Sequence, residues 1–187
     1  MLIICRFIAL LLASIATIAI RAPALAAPPT LTDGALAPEF AQIEQWHNSA
    51  PLTMAQLRGK VVLVDFWTYS CINCLRTLPH VAKWHAKYQA RGLVVVGVHT
   101  PEFAFERSAA NVRTAMARFG ITYPVAQDNQ YATWKAYGNQ YWPAVYLVGR
   151  NGRIVLTHAG EGKYDEIDAA IDKLLGPAPV VSAKTMR

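Results

Sequence analysis

The sequence predicts an α/β fold, a mixed sheet flanked by helices. Three observations carry that reading. Residues 61–67 (VVLVDFW) and 93–98 (LVVVGV) are nearly continuous in apolar, β-branched and aromatic residues, as central strands covered on both faces require. Segments with apolar residues at helical spacing follow each of them. Two more apolar runs, 144–148 and 153–158, flank Gly149-Arg150-Asn151-Gly152, and Asn-Gly is a strong hairpin signal.

Taken in order, residues 1–26 read as an export signal. Arg6 supplies the positive start, residues 7–20 an apolar stretch, and Ala24-Leu25-Ala26 the small-x-small cleavage pattern. An uncleaved membrane anchor is the alternative, and the uninterrupted apolar run is shorter than the roughly 20 residues that span a bilayer. Residues 27–38, rich in Pro and Ala, read as a flexible leader. A short helical turn follows Pro51, with Met54 and Leu57 inward, before the first strand. A helix is predicted from Ile72 to about Ala90, with Leu75, Leu78, Ala82 and His85 on one side. Pro79 should kink it, since proline removes a backbone donor and crowds the preceding turn. A second helix is predicted over 103–119, with Ala109, Val112, Ala115, Met116 and Phe119 as its inner stripe and Gly120 closing it. Residues 123–126 read as a short strand, 128–137 as a short helix, and 164–175 as a last amphipathic helix with Ile167, Ile171 and Leu174 aligned. Gly176-Pro177 ends it, so the domain is expected over 39–176 with a loose tail at 177–187. The terminal hairpin is expected to give one antiparallel edge to a parallel sheet.

Composition narrows the function classes. Apolar residues make up 53% of the 187, against 16% charged, which excludes a disordered chain. Losing Arg6 and Arg21 with the signal takes the net charge from +6 to +4. The basic residues, Arg107, Arg113 and Arg118 among them, are scattered rather than striped, so no nucleic-acid partner is expected.

Cys71 and Cys74 are the only cysteines left once Cys5 is removed with the signal. They stand as Cys-Ile-Asn-Cys between the end of a buried strand and the start of a helix. The unpaired amides and partial positive charge of a helix start stabilise a thiolate at the first cysteine, and thiolate is the nucleophilic form. The second lies one turn away, placed to attack a mixed disulfide at the first. A structural disulfide there closes so short a loop that the chain-entropy model credits it with only about 2 kcal/mol. Zinc needs four ligands, and there is no second Cys pair or suitably spaced His pair; His47, His80, His85, His99 and His158 stand singly. Covalent haem needs His directly after the second Cys, where this chain has Leu75. Redox chemistry is the favoured reading, with no cofactor and no metal. Thr68-x-x-Cys71 partly echoes a peroxiredoxin motif but has Val64 where that motif has Pro, so a thiol peroxidase stays open as an alternative. A copper-binding carrier using both thiols and one His is the other.

Several separated blocks carry a resemblance: Val64-Asp65-Phe66-Trp67, then Cys71-x-x-Cys74, then Pro79; Gly97-Val98-His99-Thr100-Pro101-Glu102-Phe103; and Gly138-Asn139-Gln140-Tyr141-Trp142-Pro143. Over roughly residues 40–175 the chain resembles the thioredoxin-like superfamily. Within it, the chain resembles the TlpA/ResA/DsbE branch and most closely the thioredoxin-like domain of DipZ-type proteins. The resemblance implies a thioredoxin fold with a central helical insertion and an exported thiol-disulfide oxidoreductase. Cys71 would attack and Cys74 resolve. Pro143 would be the cis-proline that shapes the docking groove and limits metal capture by the thiols. Asp65 would be the buried acid that moves protons at the resolving thiol, and Glu102 an acid in the insertion, a carboxyl in a dry pocket having a raised pKa. Trp67, Tyr69 and Trp142 are expected to offer an apolar surface to the substrate. Ser70 stands where thioredoxin has Trp, and Ile72-Asn73 lacks the Pro common between the cysteines of relatives. Implied partners are exported proteins carrying a disulfide or a dithiol, apocytochromes c awaiting haem among them. DipZ-type proteins carry membrane spans on the same chain. This sequence shows none beyond the signal, so a separate membrane electron donor of the CcdA/DsbD kind is implied. The location would be periplasmic or otherwise extracytoplasmic, and a monomer suffices.

Overall fold

The computed structural model describes residues 34–177. The expected signal at 1–26, the leader up to residue 33 and the tail from 178 lie outside the described residues. The strands are β1 (Gln45–His47), β2 (Val61–Trp67), β3 (Leu93–His99), β4 (Val125–Gln127), β5 (Ala144–Val148) and β6 (Ile154–Ala159). The helices are α1 (Ile72–Tyr88), α2 (Ala109–Arg118), α3 (Ala132–Ala136) and α4 (Tyr164–Leu175). The strands form one sheet in the order β1-β4-β3-β2-β5-β6. β2 pairs parallel with β3, and β3 with β4; the pairs β2/β5, β5/β6 and β1/β4 are antiparallel. β5 thus runs against β2 and β6 turns back along it, and with β1 paired against β4 the sheet carries antiparallel pairing at both edges rather than one.

β2 is the axis of the fold because every one of its residues is buried. Strand alternation sends Val61, Leu63 and Trp67 into a core shared with Leu78, Val81 and Trp84 of α1 and Ile167 and Ile171 of α4. Val62, Val64 and Phe66 enter a second core with Trp134, Tyr137 and Tyr146. Each fully buried side chain of this size contributes about 1.5–3 kcal/mol. Asp65 falls on the Leu63–Trp67 side, so a carboxyl is set into the core under α1. Opposite it in β3 is Gly97. A Cβ there would come within 2.9 Å of Trp67 Nε1 and 3.1 Å of Tyr123 Cε2, so only glycine lets those rings close over the strand.

Several expected elements come out differently. The predicted 103–119 helix is two pieces, a 3-10 turn at Ala104–Arg107 and then α2, because Ser108 breaks the helix and its side chain accepts from the Asn111 amide. α1 passes through Pro79 without interruption. The helix expected over 128–137 shrinks to α3, since Asp128 stands outside it and accepts from the Thr133 and Trp134 amides. The end of the expected flexible leader is tied down: Gly34 and Ala37 donate to the Ile154 and Gly152 carbonyls, the Ile154 amide donates to Ala35, and Leu36 bridges Arg153. β1, too short to show a period, was not foreseen.

Candidate active site

β2 ends on Trp67 and, after a four-residue link, α1 begins at Ile72, so the chain turns sharply at the C-terminal end of an interior strand. Cys71 caps α1 in an extended conformation and is half-buried. No side chain satisfies the helix start there. Its free amides and dipole therefore face the sulfur's surroundings. The Cys71 thiol lies 3.9 Å from the Trp142 carbonyl, to which it donates. The Trp142–Pro143 bond is cis, and this loop enters β5. The Trp142 indole is fixed by donation to the Thr100 carbonyl at 3.0 Å and by packing on Trp134 with ring centres 4.1 Å apart.

Cys74 is fully buried behind Cys71, and both are free thiols. Burial pushes the Cys74 thiol far up; the Thr68 backbone opposes the shift in part, and the neighbours Cys71 and Asp65 add to it. Asp65 is 1% exposed, and neither carboxyl oxygen has a hydrogen-bond partner. Burial pushes its pKa up to about 7 from the ordinary 3.8. One thiol meets solvent, and the other sits in the core within electrostatic reach of an acid that titrates near neutrality.

The insertion after β3 closes one side. The Tyr69 hydroxyl donates to the Phe105 carbonyl at 2.9 Å, and its ring stacks on buried His99. Thr68 Oγ1 meets His99 Nε2 at 3.4 Å. Burial holds His99 down at about 4. Glu106 is fully buried and accepts from the Ser70 amide and hydroxyl. Ile72, Phe103, Phe105 and Tyr141 are each more than half exposed, and the two Phe rings stack 5.6 Å apart.

The structure brings together Cys71, Cys74, Asp65, Trp142 and Pro143, with Tyr69 half-buried beside them. It separates two expected site residues. Trp67 is fully buried, edge-on to His99, and is core rather than docking surface, because strand alternation points it under α1. Glu102 is exposed and occupies no dry pocket. The insertion's buried acid is Glu106, four residues on, which the sequence reading missed; the one available signal was a lone carboxylate within the apolar Phe103–Phe105 neighbourhood.

A Cys-x-x-Cys at a helix start, faced by a cis-proline loop on a mixed six-stranded sheet, defines a thioredoxin-like thiol-disulfide oxidoreductase. The comparisons agree. The Redoxin family model matches residues 32–174, and the chain belongs to that family. It is 48% identical over 145 residues to protein DipZ of Mycobacterium tuberculosis, covering 76% of this chain but only 21% of DipZ. It is 30% identical over 139 residues to the thiol-disulfide oxidoreductase YkuV of Bacillus subtilis, covering 74% of this chain and 93% of YkuV. The solved structure of a thiol-disulfide isomerase from Corynebacterium glutamicum superposes with a TM-score of 0.66 at 26% identity, over 76% of this chain and 98% of that one. These similarities place the chain in the TlpA/ResA/DsbE branch of the thioredoxin-like fold.

Proposed function

We propose that this protein is exported and exchanges disulfides with extracytoplasmic protein partners through Cys71 and Cys74. One observation carries the division of labour: Cys71 is half-buried against the Trp142 carbonyl, while Cys74 is sealed in the core beside unpaired Asp65. In the reductive direction, Cys71 thiolate attacks one sulfur of a client disulfide. A Cys71–client bond forms, the client S–S bond breaks, and the other client sulfur leaves as a thiolate. Asp65 in its carboxylate form takes the Cys74 proton, and Cys74 attacks the Cys71 sulfur. The client leaves as a dithiol, and the protein keeps a Cys71–Cys74 disulfide, two electrons having moved. A membrane dithiol donor of the CcdA/DsbD kind would restore it. Apocytochromes c and other exported cysteine proteins are the proposed clients. The apolar stretch near the N-terminus supports export; no helix among the described residues is long and apolar enough to cross a membrane.

The Trp142 carbonyl and the exposed Ile72 and Tyr141 supply backbone pairing and apolar contact for an extended client segment. Neither alternative gains such support. Thr68 is fully buried with its hydroxyl turned to His99. No group of three or more His, Cys, Asp or Glu among the described residues is placed to hold a metal ion. The test is Cys74→Ser expressed with its signal. Covalent adducts at Cys71 with exported proteins, dissolved by reductant, are expected. Sulfenic acid on Cys71 under mild peroxide with no adducts would favour the peroxidase, and loss of bound copper with neither would favour the carrier.

A further inference from the structure

The end of β3 and the insertion after it grip three consecutive residues ahead of the reacting thiol. Thr68 meets His99, Tyr69 donates to the Phe105 carbonyl, and Ser70 donates to Glu106. Glu106 makes the strongest of these links. Its Oε1 accepts from the Ser70 amide at 3.2 Å and the Ser70 hydroxyl at 2.7 Å. Its Oε2 accepts from the Glu102 amide at 2.6 Å and the Phe103 amide at 2.8 Å. We propose that Glu106 is a positioning residue for disulfide exchange: its carboxylate fastens Ser70, and through it Cys71, to the insertion that carries the Phe103–Phe105 ledge.

The chemistry of the contacts supports this. All four partners are donors, so the site needs two acceptor oxygens, and a carboxylate supplies both where an amide supplies one. Burial alone would push Glu106 up, but donation from Thr68, Ser70, Phe103 and Glu102 more than offsets it and holds the carboxyl below its ordinary value. The group is therefore a fixed anion across the working pH range rather than a proton carrier, which separates its role from that of Asp65. Burying an ion is a poor way to add stability, since an apolar side chain of similar volume commonly does as well. What the ion supplies is geometry. Ser70 is exposed, so its hydroxyl would lose little by pointing to water, yet it donates inward at 2.7 Å. The residue it holds is bonded directly to the nucleophile, and a displacement near 1 Å at a reacting atom can cost up to about a hundredfold in rate.

The inference rests on the reading that Cys71 is the attacking thiol, and the test keeps the two apart. Reduction of a synthetic peptide with one intramolecular disulfide is followed with dithiothreitol as saturating electron donor, for wild type, Cys71→Ser, Glu106→Gln and Ser70→Ala, and reactive thiol is titrated in each. For Glu106→Gln, kcat should fall about tenfold, with KM within about twofold and full titration of the Cys71 thiol. For Ser70→Ala, which leaves the amide bond in place, kcat should fall about two- to threefold at an unchanged melting temperature. A folded Glu106→Gln with wild-type kcat overturns the proposal, as does a kcat loss matched by an equal loss of titratable thiol, which marks a structural role only. If Glu106→Gln does not fold, Ser70→Ala decides, and wild-type kcat there overturns it. Wild type no faster than Cys71→Ser overturns the exchange reading itself, and this inference with it.

Discussion

Asp65→Asn removes a buried, unpartnered carboxyl whose pKa stands at about 7. A carboxyl raised in the folded state contributes stability that is fully present below its unfolded value, near 3.8, and is lost as pH rises through about 7. At 1.36 kcal/mol per pH unit the whole effect is about 4 kcal/mol, of which roughly 2–3 kcal/mol falls between pH 5 and pH 8. Cys74 and Tyr123, the titratable groups facing Asp65, are both pushed upward and stay protonated over that window. His99 works in the opposite sense: its pKa is held at about 4, so the stability it contributes is lost as pH falls. The wild-type profile is therefore flattened by compensation, and the informative quantity is the difference between variant and wild type. Urea unfolding at pH 5 and pH 8 measures it. The variant should gain roughly 2–3 kcal/mol on wild type over that range, or about 5–10 °C in melting temperature. Any fixed cost of burying the Asn amide cancels in the comparison. Parallel profiles for the two proteins would refute the reasoning, because they would mean that Asp65 is already ionised at pH 5 or is satisfied by a partner.

Other expectations follow from the same geometry. Asp65→Asn should also slow resolution by Cys74, so that rapid chemical quench finds the Cys71–client mixed disulfide several-fold longer-lived than in wild type; an unchanged lifetime would remove Asp65 from the proton path. Gly97→Ala forces a Cβ to 2.9 Å from Trp67 Nε1 in a packed core and should cost about 1–3 kcal/mol in chemical denaturation. Ile72→Glu at an exposed position should raise KM for a peptide disulfide several-fold while leaving melting temperature within about 2 °C; an unchanged KM would place client docking elsewhere.

Much of this fold was legible because its strongest elements are also its most periodic. β2, β3 and the 149–152 hairpin announce themselves through continuous apolar character or turn chemistry, and Cys71-x-x-Cys74 and Trp142-Pro143 are local motifs whose meaning survives without a structure. What was not legible depends on tertiary hydrogen bonds. Nothing within 27–38 shows that residues 34–37 pair with β6, more than a hundred positions away. Trp67 reads as a plausible docking aromatic until strand alternation sends it inward. The insertion's acid was placed at Glu102 by position in a motif, whereas burial and four donors select Glu106, and neither is visible without the fold around Ser70. The split of the 103–119 helix has the same origin, because the Glu106 carboxylate and Ser108 side chain compete with helical pairing for the local amides.

Equilibration of the purified protein in graded mixtures of reduced and oxidised glutathione, with acid quench, alkylation and mass measurement, tests the central claim most directly. A single intramolecular Cys71–Cys74 disulfide should appear and disappear along a two-electron curve, 29.6 mV per tenfold change in the equilibrium constant, and either Cys→Ser variant should abolish it. Thiols that stay reduced even in oxidised glutathione alone, or that accumulate only as separate glutathione adducts, would contradict it.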